Sequence, residues 1–444
     1  MRHVLSLSAL LVASFILVFG NGLAGLLIPA RASHEGWSTD TIALIGASYS
    51  LAFTLGCLIV PRMVARVGHI RVFGALGTII VVSMLLHALE PTSWFWILVR
   101  GLAGFSVAGS YMILESWLNE ETTNESRGLV FSIYMVVSLA GQAIGPFIVT
   151  LAHPREFTLF AWAAIIYAVS TLPIALTGKM SPQPLTTVTL DLRNLYRNSP
   201  AAFVGSLVTG MIAGSFGALL PVYGLGIGLT TAAIATLIAA ANLGSVVFQV
   251  PIGRASDKID RRIVMVVVGA AGALLAVAMM MVPTPVPAEL PARAPAVEAS
   301  DVPLLFGVMF LLGGTLYTTY SLNVAHANDW ARGVSFVTVA SGLLILYGIG
   351  ATLGPLVAAR VMATVGPAGL FAFMVGCNAL YAGVALWRIT QRGNVPIDDQ
   401  TDFRSLPVTR VATPQTFEMD ARADEDGADG WDVIPVDYET TGEA

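Results

Sequence analysis

Two ionisable residues in one long apolar stretch are the strongest candidates for chemistry in this chain. Arg100 lies inside the apolar run 93–117, and Glu115 follows it near the end of the same run. An unpaired arginine within lipid costs at least ~2.5–3.5 kcal/mol. A water-filled cavity, a polar partner or an anionic substrate could offset this cost. The alternative role is a structural arginine bonded to neighbouring backbone carbonyls.

Glu115 stands just before Trp117, a residue type common at membrane interfaces. At 1.5 Å per residue, a helix would place it roughly 22 Å from Arg100, so the two cannot pair directly. Burial disfavours the ionised form of a carboxylate, so Glu115 could bind and release a proton. The alternative is a carboxylate that anchors or caps a helix end.

Five amides inside apolar segments could hydrogen-bond a solute, and each could equally hold two helices together. They are Asn21, Gln142, Asn242, Gln249 and Asn323. Asn21 is favoured because Gly20 and Gly22 flank it and should interrupt the first helix, as Gly210 and Gly214 should interrupt its repeat. No nucleophile–base set, metal-ligand spacing or Gly-x-x-x-x-Gly-Lys-Ser/Thr phosphate loop accompanies them. The sequence therefore predicts no enzyme, no metal and no cofactor.

The elements that position these residues follow from composition. The 444 residues are 55% hydrophobic and 11% charged, with a mean hydropathy of +0.75. A soluble domain carries about 25% charged residues, so most of this chain should meet lipid. Segments of about 20 apolar residues predict membrane-spanning helices. Twelve occur: 4–29, 40–60, 71–89, 93–117, 127–151, 157–177, 200–222, 230–251, 262–282, 303–325, 334–360 and 367–388.

An internal repeat divides these segments into two halves. Gly25 to Pro29 matches Gly217 to Pro221, and the same shift of 192 positions aligns Thr39 with Thr231 and Arg62 with Arg254. Parallel repeats of this kind are typical of transporters that rock one half against the other around a central site. The predicted domains are a six-helix bundle over 1–177, a linker over 178–199, a second bundle over 200–392 and a disordered acidic cytoplasmic tail over 393–444.

Basic residues predict the orientation. One set of loops holds nearly all of the arginines and lysines, among them Arg62, Arg127 and Lys258. Basic loops stay in the cytoplasm, so both termini should be cytoplasmic. The net charge of −5 arises largely from the tail and predicts no nucleic-acid binding.

Three short motifs resemble those of the major facilitator superfamily. Gly253-Arg-Ala-Ser-Asp257-Lys258-Ile-Asp-Arg261-Arg262 resembles its signature loop, with Asp260 in place of the second glycine. The first-half copy keeps Arg66 and Gly68 but has Ala65 where the acid belongs. Arg100-Gly-Leu-Ala-Gly104 resembles the arginine motif of the fourth helix. Gly141-Gln-Ala-Ile-Gly145-Pro146 resembles a motif frequent in exporters, and Gly350, Gly354 and Pro355 repeat its core.

Short stretches that begin at Glu115, Asn124 and Ala325 resemble more narrowly the uncharacterised bacterial permeases of the YcaD type. The resemblance implies an all-α integral membrane protein with twelve helices in two bundles related by a pseudo-twofold axis. It also implies a multi-pass protein of the bacterial inner membrane. Residues expected to gate access are Arg62, Arg66, Arg127, Gly253, Asp257, Lys258, Arg261, Arg262, Asp329 and Arg332.

The expected function is secondary active transport of a small organic solute by alternating access. Arg100 and Glu115 predict coupling to protons, and the motif at Gly141 favours export. The alternatives are a solute importer and a transporter-like membrane receptor or regulator that signals through the tail. The expected partners are a small-molecule substrate, protons and the lipid bilayer, and the protein is expected to be a monomer.

Overall fold

The computed structural model of the protein describes residues 2–122, 126–175, 191–283, 297–331, 334–397, 400–401, 403–404, 406 and 412–420. Within these residues, twelve helical spans are long and apolar enough to cross a membrane. The prediction of an all-α integral membrane protein with twelve membrane helices is confirmed.

The first half contains six spans. They are α1 (Arg2–His34), α2 (Thr39–Val67), α3 (His69–Leu89), α4 (Ser93–Glu120), α5 (Arg127–Ile144) and α6 (Phe157–Ala175). Helix α5 passes directly into a 3-10 helix, Gly145–Leu151, at Pro146, which has no backbone N–H for the helical pattern. Helix α1 packs against α5 and α6, while α4 packs against α2 and α3.

The second half repeats this arrangement after a short helix, α7 (Leu192–Asn198). Its spans are α8 (Pro200–Gly226), α9 (Thr231–Ser256), α10 (Arg261–Met281), α11 (Pro303–Leu316) with α12 (Thr318–Asp329), α13 (Phe336–Val365) and α14 (Gly369–Gln391). Helices α11 and α12 together form one span that breaks at Tyr317. Residues 178–190 of the predicted linker lie outside the described residues.

Helix starts follow the repeat. The side chain of Ser38 caps α2 by accepting from the Thr41 N–H at 3.2 Å, and that of Thr230 caps α9 by accepting from the Ala233 N–H at 3.1 Å. Such caps satisfy backbone donors that have no partner within the helix. Gly68 ends α2 at a φ of 87°, which favours glycine, whereas Asp260, 192 positions later, has a φ of −53° and instead caps α10.

Glycines bring paired helices together in both halves. A Cβ on Gly145, the first residue of the 3-10 helix that continues α5, would lie 2.9 Å from the Leu23 N of α1. A Cβ on Gly354 of α13 would lie 2.6 Å from the Met211 Cα of α8. These are equivalent helix pairs in the two bundles, and small residues are what permits such close crossing. Gly141, Gly145, Gly350 and Gly354, the predicted packing residues, all lie at these close crossings.

Two expectations differ from the structure. Helix α1 continues unbroken through Gly20, Asn21 and Gly22, and α8 continues through Gly210 and Gly214. Glycine lowers the cost of a bend without requiring one, and Gly214 serves instead to let α8 approach Ala351 of α13. The predicted disordered tail also contains an ordered part, because a short helix, α15 (Pro414–Glu418), is buried against α4 and α13.

The helix ends define two faces. We call the face that holds Gly68, Glu121, Asp257 and Trp330 the tail face, because the chain after Gln391 returns to it. The opposite face holds the connections 34–39, 90–93, 226–231 and 365–369.

Candidate functional site

A cavity of about 1050 Å³, including its open mouth, lies between the two bundles. Helices α1, α2, α4 and α5 of the first bundle and α8 and α13 of the second supply its walls. The walls are largely apolar and aromatic, with Ile28, Ile45, Phe53, Leu344 and Ile345 among them. A concave apolar site with a few polar groups is typical of small-molecule binding.

The polar groups of this cavity come mainly from the first bundle. Arg100 of α4 places its guanidinium carbon 4.1 Å from the ring centroid of Tyr49 on α2. The Tyr49 hydroxyl donates to the Asn21 Oδ1 on α1 at 2.9 Å. Gln142 of α5 also lines the cavity, and its Oε1 has no hydrogen-bond partner among the described residues. The structure therefore brings three of the seven predicted pathway residues, Asn21, Arg100 and Gln142, to one site.

Arg100 is the charged residue of this site. Arg100 is 8% exposed, and no acidic side chain occurs among the described residues that line the cavity. A guanidinium over an aromatic face gains roughly 0.5–2 kcal/mol. The cavity therefore presents a positive charge at an aromatic wall, with amide groups beside it.

The two bundles touch each other on the opposite-face side of the cavity. A Cβ on Gly46 of α2 would lie only 2.6 Å from the Ala218 Cβ of α8. Near the surface, the Arg360 Nε lies 3.3 Å from the Asp40 Oδ1, with side chains that are 77% and 35% exposed. An exposed pair of this kind contributes about 0–1 kcal/mol, so close helix packing is the stronger of these two contacts between the bundles.

Glu115 lies away from this cavity wall, toward the tail face, and is fully buried. Its Oε1 accepts hydrogen bonds from the Tyr134 Oη and the Thr416 Oγ1, each at 2.7 Å. Its Oε2 accepts from the Thr413 Oγ1. Two of these three hydroxyls belong to the tail around α15, so the carboxylate joins α4 to this part of the tail.

The signature loop of the second half forms a charge cluster on the tail face. The Arg261 Nε lies 2.8 Å from the Asp329 Oδ2, and both side chains are almost fully buried. The Arg261 Nη2 lies 3.5 Å from the Asp257 Oδ1. These three predicted gating residues therefore do come together.

A second pair stands beside this cluster. The Arg262 Nη2 lies 2.7 Å from the Asp260 Oδ2, and the Arg262 Nη1 donates to the backbone oxygens of Arg388 and Arg392. Burial alone would raise the pKa of Asp260, but the hydrogen bonds and charge of Arg262 outweigh it and lower that pKa. Arg262 thus fastens the end of α14 to the start of α10.

The remaining amides have different surroundings. The Asn323 Oδ1 accepts from the Tyr381 Oη at 3.1 Å, and its Nδ2 donates to the Thr209 Oγ1 at 3.3 Å, which is the interhelical role weighed as the alternative. The Gln249 Nε2 lies 3.3 Å from the Leu406 backbone oxygen and 3.4 Å from the Ser321 Oγ. Asn242 is buried on α9, and neither of its side-chain polar atoms has a partner among the described residues.

The other predicted gating residues lie around the tail face. Arg62, Arg66 and Lys258 are exposed at helix ends, and Arg127 begins α5. Arg332 lies outside the described residues. Gly253 packs against the Phe403 ring, which occupies the place that a side chain there would take.

Sequence reasoning missed Tyr49 and the tail hydroxyls of Thr401, Thr413 and Thr416. Tyr49 stands in an apolar segment where a tyrosine is an ordinary core residue, so nothing in its spacing marks it. The tail threonines stand in a proline-containing acidic segment that has little periodicity, which is the signature of disorder rather than of a buried contact.

Comparisons with known proteins agree with this architecture. The family model described as Major Facilitator Superfamily matches residues 10–291 and 202–414. An uncharacterised MFS-type transporter YcaD of Escherichia fergusonii is 24% identical over 374 residues, covering 84% of this chain and 93% of that protein. The protein of the same name from Escherichia coli O139:H28 is 24% identical over 376 residues, covering 84% and 93%.

Solved structures share the fold. The nucleoside transporter NupG superposes with a TM-score of 0.71 at 16% identity, covering 87% of this chain and 100% of that one. A bacterial homologue of the human lysosomal transporter Spinster, in an inward-facing and unoccupied conformation, has a TM-score of 0.66 at 11% identity and covers 90% and 98%. With its twelve spans, its two repeated bundles and a family match over most of its length, this chain belongs to the major facilitator superfamily and is a transporter of that family.

Proposed function

We propose that this protein is a secondary active transporter that carries a small, largely apolar organic anion by alternating access. The observation that carries the proposal is the cavity between the bundles, in which Arg100 is the charged lining residue. A carboxylate or similar anion would form charge-assisted hydrogen bonds with this guanidinium. The aromatic and aliphatic walls would hold the apolar part of the same solute.

The hydrogen-bonding groups favour a solute that also carries a donor. Gln142 Oε1 lines the cavity without a partner among the described residues, and a buried acceptor left unpaired costs free energy. A hydroxyl or amide N–H on the substrate would satisfy it. Asn21 is already engaged by Tyr49, so its contribution is to orient the ring beneath Arg100.

Alternating access requires that the closed side can open. On the opposite-face side of Arg100 the bundles meet at Gly46 and Ala218 and at the exposed Arg360–Asp40 pair, and both contacts join α2 of the first bundle to the second bundle. Rocking of the bundles would break these contacts while leaving each bundle intact. We assign the tail face to the cytoplasm of a bacterial inner membrane, because the basic loops lie there.

The proposed driving force is the proton gradient. The sequence contains no phosphate-binding loop, and Glu115 is a buried carboxylate whose three hydrogen-bond partners are all hydroxyls. The exporter-type motif at Gly141 to Pro146 supports export as the direction. Import of the same solute would appear as flux under the opposite pH gradient, and signalling without transport as binding without flux.

The test uses purified protein and pairs of ligands that differ in charge. Stabilisation against heat is measured for aryl and alkyl carboxylates and for their uncharged amides, since a ligand that binds the folded state raises its stability. Hits are then assayed for uptake into liposomes with an imposed pH gradient of either sign.

We expect carboxylates to stabilise the protein and their amides to do so much less. Arg100→Gln should remove this preference, whereas Arg254→Gln, at an exposed arginine on the tail face, should keep it. Equal stabilisation by carboxylates and amides would contradict the anion assignment. Binding without any pH-driven flux would favour the receptor alternative.

A further inference from the structure

The start of the tail is held on the tail face by the charge cluster of the second bundle. The Asp329 Oδ1 accepts from both the N–H and the hydroxyl of Thr401, each at 3.0 Å. The Arg261 Nη2 donates to the Thr401 backbone oxygen. The Asp257 Oδ1 accepts from the Phe403 N–H at 2.8 Å. Three of the predicted gating residues, Asp257, Arg261 and Asp329, therefore bind the protein's own tail.

The next tail residues are held by α9 and α12. The Phe403 ring packs on Gly253, where a Cβ would collide with it. The Leu406 N–H donates to the Ser321 Oγ at 3.1 Å, while its backbone oxygen accepts from the Gln249 Nε2 at 3.3 Å. The backbone N–H and C=O of the buried Leu406 are therefore both hydrogen-bonded to side chains of the second bundle.

The end of the described tail crosses to the first bundle. Thr413 and Thr416 donate to Glu115 of α4, and the Thr416 Oγ1 also accepts from the Thr413 N–H at 2.8 Å. On its other side, Phe417 is fully buried and meets Phe336 of α13 edge to face, with ring centroids 6.2 Å apart. One short segment thus contacts both bundles at once.

This contact lies between the central cavity and the tail face. On α4, Arg100 lines the cavity, and Glu115 lies roughly 22 Å further along the helix toward the tail face. On α13, Leu344 lines the cavity, and Phe336 lies roughly 12 Å nearer the tail face. Helix α15 packs between these two helices, on the tail-face side of the cavity.

We propose that the described tail residues 400–401, 403–404, 406 and 412–420 form an autoinhibitory plug, which closes the central cavity toward the tail face and must leave before the cavity can open there. Glu115 is the latch on the first bundle, and the Arg261–Asp329 pair is the anchor on the second. The plug resists rocking because it joins both bundles. Its importance for transport rests on the proposed function, but its presence is tested without any transport assay.

The test measures how fast a charged methanethiosulfonate reagent labels Cys57, which lines the cavity. Cys377 is replaced by alanine so that Cys57 is the remaining thiol. The protein is placed in lipid nanodiscs, which leave both faces accessible. The variants are the full chain, a truncation that removes 400–444, the matched truncation that removes 421–444, and the full-length double variant Thr413→Val with Thr416→Val.

We expect removal of 400–444 to speed Cys57 labelling at least ~10-fold, which corresponds to ~1.4 kcal/mol of docking free energy. The double valine variant should also speed labelling, since it removes both tail donors to Glu115 but keeps the chain length. Removal of 421–444 should leave the rate unchanged. A synthetic peptide of residues 400–420, added to the shorter protein, should slow labelling again, and a scrambled peptide should not.

Equal labelling rates in the full chain and the 400–444 truncation would overturn the plug. So would an equally large acceleration when only 421–444 is removed. Failure of the proposed function has a different signature, namely accelerated labelling in a protein that moves no solute in liposomes.

Discussion

Replacing Asp329 by asparagine tests whether the buried cluster on the tail face holds the second bundle together. The substitution keeps the shape of the side chain but removes the negative charge that lies 2.8 Å from the Arg261 Nε. It also places an NH₂ group where the carboxylate accepts from Thr401 or Arg261. The Arg261 guanidinium then stays buried, with the Asp257 Oδ1 at 3.5 Å from its Nη2.

The magnitude follows from burial. Removing one partner of a buried ion pair costs about 3–5 kcal/mol, because an uncompensated charge remains. Asp257 offsets part of that cost, so we expect Asp329→Asn to lower the free energy of unfolding by about 3 kcal/mol. The matched change Asp40→Asn breaks the exposed pair with Arg360 and should cost at most about 1 kcal/mol.

The assay is a denaturant titration of each purified variant in detergent micelles. Unfolding is monitored by tryptophan fluorescence, and its reversibility is checked by refolding. A double-mutant cycle with Arg261→Gln should give a coupling free energy of at least ~1 kcal/mol, because the two side chains are in direct contact. Equal losses for Asp329→Asn and Asp40→Asn, or additive effects in the cycle, would refute the reasoning.

Three further outcomes are expected. Gly354→Ala should lower the free energy of unfolding by ~1–3 kcal/mol, because its Cβ would meet Met211. As the control in the same denaturant titration, Gly376→Ala should leave this free energy nearly unchanged or raise it by up to ~1 kcal/mol, because a Cβ there has nothing within 4 Å. In protein that lacks residues 400–444, Glu115→Gln should keep substrate exchange in liposomes but lose pH-driven accumulation of the substrate. Equal loss of exchange and of accumulation would show that Glu115 carries no proton. Burial raises the pKa of Glu418 from 4.5 to about 7, so docking takes up a proton. Binding of a labelled 400–420 peptide to the truncated protein should therefore weaken as pH rises from about 5 to about 7, and Glu418→Gln should flatten that dependence in fluorescence anisotropy.

The membrane helices could be predicted from sequence because their signal is additive over about 20 residues. The predicted run 40–60 lies inside α2, and 93–117 lies inside α4, so the main difference is that these helices continue beyond the apolar run, to Val67 and to Glu120. Helix packing was predictable for a similar reason. Gly141 and Gly145 are four residues apart, as are Gly350 and Gly354, so each pair places two small residues on one helix face, and that pattern commonly permits close helix crossing.

The site was predictable only in part, because depth in the bilayer does not specify direction around a helix. Arg100 and Glu115 share α4, yet one lines the cavity and the other binds the tail. Asn21 and Asn323 are both buried amides, but only the first reaches the cavity. Partners that decide these roles, such as Tyr49 and Thr413, come from distant positions that no local spacing connects.

The tether between the last membrane helix and the docked segment has a quantitative consequence. Helix α14 ends at Gln391 and α15 begins at Pro414, so α15 meets its groove as part of the same molecule. Short tethers give effective concentrations on the order of mM. At ~1 mM, a groove whose dissociation constant for the free segment is only ~0.1 mM would leave roughly one chain in ten undocked. A competitor in solution must overcome that local concentration to displace the segment. A molecule that binds the undocked tail instead loses only about tenfold in apparent affinity, because roughly one chain in ten is undocked.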